Sequence, residues 1–184
     1  MLRMLLLCVA GFGLCLGQVL KPGACPEFIP KTDFEVPPYL GKWLEIARFA
    51  TKDQEGQTCN YAEYSDNGDG TVGVHNAGLE ENGTYTEIFG YVETTDVPGA
   101  LALHLDGVPV VGSYNVLETD YVAYTSVYSC ITVIGGFHAD QAWVLARHLL
   151  TDQELEVALS AFSRWGIEVD RFIFTPQNDC SGLP

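Results

Sequence analysis

Apolar and polar residues alternate in short runs along most of this chain. The runs are rich in β-branched and aromatic residues, and Gly, Asn, Asp or Pro stands between them. Period-two alternation puts successive side chains on opposite faces of an extended strand, so the pattern predicts an all-β architecture. Strands are expected at 42–49, 59–64, 71–76, 84–92, 101–105, 114–118, 124–133 and 141–148, eight in all, the number a closed ligand-holding barrel uses. One segment changes period. Thr151 and Glu154 form a T-x-x-E capping box, Leu155, Leu159 and Phe162 follow at helical spacing, and Gly166 supplies a left-handed stop. This predicts a single helix lying on the sheet, followed by a ninth strand over 168–175.

The turns carry further information. Asp66-Asn67-Gly68-Asp69-Gly70 resembles a calcium loop in composition, but its acids stand at the wrong offsets and Ala77 replaces the bidentate Glu, so it reads as a hairpin turn. Asn82-Gly83-Thr84 is a second tight turn and a glycosylation sequon, with a glycan expected at Asn82.

The first residues are unlike the rest. Arg3 precedes an apolar stretch from Met4 to Leu16, and Gly17 leads into polar Gln18, the layout of a secretory leader spanning 1–17. That stretch is too short for a membrane span, which takes about 20 residues. Cleavage after Gly17 is expected to leave one extracellular domain, residues 18–184, with a charge of −16 once Arg3 is lost from the −15 chain. Such acidity repels phosphate backbones and excludes nucleic acid as a partner. Cys8 and Cys15 fall in the leader. Cys25, Cys59, Cys130 and Cys180 remain, an even set expected to pair in an oxidising compartment, and sequence alone permits three pairings. Their wide spacing, without histidines at ligand offsets, argues against a metal site. Nucleophile elbows, zinc-helix motifs and nucleotide-binding glycine loops are absent from the sequence, and His75, His104, His138 and His148 are scattered, so a binding protein is expected rather than an enzyme.

Three short motifs then stand in register. They are Gly41-x-Trp43 within the segment from Asp33 to Ala47, Thr119-Asp120-Tyr121 after Glu118, and Arg147 after the apolar run from Ala142 to Ala146. Together they resemble the signatures of the lipocalin family. The resemblance implies an eight-stranded antiparallel up-and-down β-barrel, a calyx, with one C-terminal α-helix packed on the outside. Its floor would consist of Gly41, Trp43, Thr119, Asp120, Tyr121 and Arg147, with the Arg guanidinium over the Trp face. Tyr121-x-x-Tyr124-x-x-Val127-Tyr128-Ser129-Cys130 and Phe137-His138-x-Asp140-x-Ala142-Trp143 are similar to the branch formed by apolipoprotein D and its arthropod relatives, the bilin-binding proteins and crustacyanins. That resemblance implies the pairings Cys25 with Cys130 and Cys59 with Cys180.

Within this frame, alternation from Trp43 and Arg147 points Glu45, Ala47 and Phe49 inward from one strand and Gln141 and Trp143 from another, with Glu45 assigned to the floor. Matching to the family adds Tyr64, Asn76 and Tyr114. The expected site therefore comprises Tyr64, Asn76, Tyr114, Trp143, Phe49 and Gln141, an aromatic cup with a few polar groups. Its ligand would be one small hydrophobic molecule, a retinoid, bilin, carotenoid, sterol or fatty acid, carried without any required cofactor. Glu80 stands where the family's best-known member has an arginine before the third hairpin turn, which argues against a ligand whose carboxylate needs a cation at the mouth. The apolar loops Val108-Pro109-Val110-Val111 and Ile134-Gly135-Gly136-Phe137 are expected to meet a lipoprotein, a membrane or a second copy. A pigment-bearing subunit of the crustacyanin type, assembling around its chromophore, is the alternative.

Overall fold

A computed structural model describes residues 20–133 and 135–184. The expected leader, with Cys8 and Cys15, and the loop residue Ile134 lie outside the described residues.

The barrel is built from β2 (Gly41–Phe49), β3 (Thr58–Asp66), β4 (Val72–Leu79), β5 (Tyr85–Thr94), β6 (Ala100–Leu105), β7 (Gly112–Thr119), β8 (Tyr124–Val133) and β9 (Phe137–Ala146). Each strand pairs antiparallel with the next, and β2 pairs back onto β9, so the sheet closes on itself. Closure removes the free edges on which open sheets aggregate. Three short elements flank it: β1 (Leu20–Pro22) against β9, α1 (Val36–Tyr39) across one end, and β10 (Phe172–Phe174) against the upper part of β2.

The helix α2 (Asp152–Ser163) starts at the expected capping box, in which Thr151 Oγ1 accepts from the Glu154 amide and Glu154 accepts from the Thr151 amide. Gly166 has φ +70, and the Ile167 amide bonds back to the Phe162 carbonyl to end it. The contact face is not centred where the periodicity put it. Ala158, Ala161 and Phe162 are buried, whereas Leu155 and Leu159 flank them, half-buried. The alanines let the helix backbone approach the barrel until Ser126 Oγ donates to the Ala158 carbonyl at 2.7 Å.

Only part of the expected ninth strand is extended. Val169–Arg171 forms a 3-10 turn and Phe172–Phe174 a short strand. The turn brings Arg171 onto Asp140 with two bonds of 2.7 Å and places its guanidinium 3.8 Å from the Phe49 ring centre.

Two disulfides tie the chain ends to the wall: Cys25–Cys130 holds the N-terminal segment to β8, and Cys59–Cys180 holds the C-terminal segment to β3. Apolar residues divide into two cores. Trp43, Tyr64, Val116, Val127 and Leu145 fill the lower barrel, and Ala47, Phe49, Tyr128, Val144 and Phe162 pack between barrel and helix.

Candidate functional site

One end of the barrel is shut. Trp43 is fully buried, and its indole Nε1 donates to the Tyr39 carbonyl at 2.8 Å, so its one polar atom is satisfied. The Arg147 guanidinium lies 3.7 Å from the Trp43 ring centre. It donates to the carbonyls of Lys42 (2.9 Å), Pro38 (3.1 Å), Tyr39 (3.2 Å) and Leu40 (2.8 Å), lacing the α1 segment across the opening. Gly41 has φ +93, a left-handed conformation that favours glycine, and a Cβ there would come into contact with Arg147 Nη1 at 3.4 Å. Asp120 Oδ1 accepts from the amides of Val122, Ala123 and Tyr124 and forms the tight β7–β8 turn. Thr119 Oγ1 accepts from the Tyr121 amide and donates to the Tyr124 carbonyl, holding Tyr121 in a left-handed conformation at φ +65.

Above this floor is a cavity of about 560 Å³. Tyr64, Asn76, Tyr114, Gln141 and Trp143 all line it, as do Ala62, Ile88, Leu103, Leu105, Ile131 and Leu145. Ile88 on β5, Leu103 and Leu105 on β6 and Ile131 on β8 thus complete an apolar cup. The alternation of Leu101, Leu103 and Leu105 on β6 was the signal that could have assigned that wall.

Phe49 is not in the cup. A bulge between Glu45 and Ala47 inserts one extra residue into β2 opposite β9 and reverses the alternation beyond it. Ala47 and Phe49 therefore turn outward, where Phe49 meets Phe172 at 4.7 Å between centroids. Arg48 takes the register position opposite Trp143. Glu45 is likewise not part of the floor. It stands higher on the cavity wall, with Oε1 accepting from Thr175 Oγ1 at 2.6 Å and facing Arg48 Nη1 at 3.3 Å, and Oε2 accepting from Gln54 Nε2 at 2.9 Å. Burial pushes its carboxyl pKa up, against the pull of Arg48 and the hydrogen bonds from Thr175 and Gln54. Arg48 also donates to the Gln54 carbonyl, so the pair straps the β2–β3 loop to the rim. Thr51, Asp53, Gln54 and Gln57 of that loop line the mouth, and no periodicity in a loop could have placed them.

At the base of the cup three tyrosines meet. Tyr114 Oη lies 2.6 Å from Tyr39 Oη and 2.8 Å from Tyr64 Oη, and Tyr39 Oη donates to Thr125 Oγ1 at 3.3 Å. Burial raises all three phenols, Tyr39 to about 12 and the other two well above their ordinary value, so each keeps its proton at neutral pH. Val108, Val110 and Val111 edge the open end, and Val110, Val111 and Phe137 are 48%, 51% and 41% exposed. Among the described residues, no cluster of His, Cys, Asp or Glu is placed to hold a metal ion.

A plugged antiparallel barrel with an apolar cup and a helix against its wall defines a small-molecule binding protein, and comparison with known proteins specifies which kind. The model of the lipocalin-like domain matches residues 34–177. Apolipoprotein D of Bos taurus is 35% identical over 181 residues, covering 96% of this chain and 95% of that protein. The outer membrane lipoprotein Blc of Vibrio cholerae is 31% identical, covering 94% and 96%. Insecticyanin from the tobacco hornworm Manduca sexta superposes with a TM-score of 0.76 at 25% identity, covering 89% and 93%, and lobster apocrustacyanin A1 shares the fold with a TM-score of 0.74, covering 87% and 92%. The chain belongs to the lipocalin family, whose members are typically binding and transport proteins, and it is similar to apolipoprotein D along nearly its whole length.

Proposed function

We propose that this protein is a secreted carrier that holds one small hydrophobic molecule in its calyx by burial and shape and performs no catalysis. The observation that carries the reading is the cavity itself: about 560 Å³, closed below by Trp43 and Arg147, walled mostly by apolar side chains and open at the other end. This size and make-up are usual for a site that engulfs one ligand. Tyr64, Asn76, Tyr114, Gln141 and Trp143 are the proposed contacts, with Trp143 as the reporter. The exposed sequon residue Asn82, in the β4–β5 turn, is the proposed glycan site. The valines of the mouth, with Phe137, are proposed to rest on a lipid layer from which ligand is exchanged, as apolar patches of this kind often do.

The test is titration of the purified protein with retinol, biliverdin, astaxanthin and arachidonate, following tryptophan quenching and ligand absorbance, with Trp143→Phe as control. Saturable one-to-one binding of one class, with quenching diminished in the control, is expected. Saturation by none of the four would refute the carrier reading.

A further inference from the structure

The hydrogen bonds under the cup run in one direction only. The Glu118 carbonyl can accept but not donate, and Thr125 Oγ1 donates to it at 3.3 Å. Thr125 has one proton, so toward Tyr39 it must accept. Tyr39 then has no proton left for Tyr114, and Tyr114 must donate to Tyr39. By the same count Tyr114 has none left for Tyr64, and Tyr64 must donate to Tyr114. The sequence Tyr64 to Tyr114 to Tyr39 to Thr125 to the Glu118 carbonyl is thus anchored at a backbone atom and ends at the Tyr64 oxygen. That oxygen has its proton committed and its lone pairs free, and Tyr64 lines the cavity at its deep end, where it pairs with Gly41 of the floor.

The charge of the cup points the same way. Glu45, Asp53 and Glu87 stand among its described lining residues, and no lysine, arginine or histidine does. The Asn76 amide both donates and accepts and does not discriminate. Arg48, behind Glu45, is already committed to that carboxylate, Thr175 and the Gln54 carbonyl, so an anionic head group would find no free counter-charge among the lining residues, and an acceptor such as a carbonyl would reach a base that offers only lone pairs.

Resting on the carrier reading above, we propose that Tyr64 selects the ligand: the calyx takes apolar molecules ending in a neutral hydrogen-bond donor, an alcohol in the simplest case, with that hydroxyl donating to Tyr64 Oη. The corresponding aldehyde or carboxylate of the same skeleton is disfavoured. Thr125, which does not line the cavity, is a positioning residue that sets the polarity from below.

Retinol, retinal and retinoate share one skeleton and differ at this end group, so their affinities, read by tryptophan quenching, test the idea. Retinol is expected to bind at least fivefold more tightly than either of the others, about the worth of one buried hydrogen bond. Thr125→Val keeps the shape but removes the anchor, freeing the tyrosines to reverse and Tyr64 to donate. In that variant the ratio of retinol to retinal affinity is expected to fall toward one, while retinoate stays weak. Tyr64→Phe should weaken retinol severalfold and leave retinal unchanged, and it serves if Thr125→Val does not fold. Equal or tighter binding of retinal by the unmodified protein, or an unchanged ratio in a folded Thr125→Val protein, would overturn the proposal. Binding of none of the three would overturn it as well. Saturation by biliverdin or astaxanthin in that case would leave the carrier reading standing.

Discussion

Single side chains in this protein act chiefly by satisfying backbone groups that a small barrel cannot pair for itself. Arg147 is the clearest case, because one planar guanidinium reaches five carbonyls and a Trp face at once. A lysine ammonium is a point donor and cannot span that set. Arg147→Lys is therefore expected to cost on the order of 2 kcal/mol of stability in urea unfolding, with the fold retained. Asp140 acts outside the barrel. Burial favours its protonated form, but the bidentate Arg171 pair and the Tyr128 hydroxyl outweigh that and hold its carboxyl below the ordinary aspartate value. A folded-state value below the unfolded one means that the pair stabilises fully above about pH 4 and that the contribution drains away as pH falls through the lower folded value. Asp140→Asn should cost on the order of 2–3 kcal/mol at pH 7 and flatten the loss of stability between about pH 4 and pH 2, as measured by denaturant midpoints across that range.

At the scale of elements, periodicity identified what forms, and small irregularities decided what faces where. The eight barrel strands were legible because each is a short run rich in β-branched and aromatic residues bounded by turn residues, and α2 because its caps and its period are local properties. The bulge in β2 was not legible. It depends on the partner strand β9, and it moved Phe49 out of the cup and set Arg48 opposite Trp143. The ninth strand failed for a similar reason, since Arg171 is drawn to Asp140, more than thirty positions away in sequence, and bends 169–171 into a 3-10 turn. The helix contact is a further instance. Leu155 and Leu159 are the larger apolar residues, yet the close approach is made by Ala158 and Ala161, because only short side chains let Ser126 reach the helix carbonyl. Ala158→Leu should accordingly overpack this seam and destabilise the protein by about 2–3 kcal/mol, a loss that thermal unfolding would register as a lower Tm. A Tm unchanged within a degree would mean that the helix can lift away at no cost.

For the whole molecule, the two disulfides do what the core of the barrel cannot, since a cavity of this size removes packing from the centre. They clamp both chain ends to the wall across sequence separations of 105 and 121 residues. Loops of that length restrict the unfolded chain strongly, and replacing Cys59 and Cys180 together by Ala is expected to cost about 2–5 kcal/mol, measured by guanidinium unfolding. A filled cup would offset part of that loss, because a ligand that binds only the folded state stabilises it by mass action.

Local pattern alone determined that this chain makes a strand-rich wall, one capped helix and tight polar turns, because alternation, capping and turn conformation depend on neighbours within a few residues. The floor residues Trp43, Thr119, Asp120 and Arg147 were also visible there, since their spacing is characteristic of the family. What only the tertiary structure decided is which faces turn inward after a bulge, that the loop over 50–57 edges the mouth, and that Tyr39, Tyr64, Tyr114 and Thr125 join into one directed line of hydroxyls. The last of these depends on hydrogen bonds between residues 50 to 86 positions apart. A barrel brings such residues together only when it closes, and no stretch of sequence encodes the direction in which their protons must point.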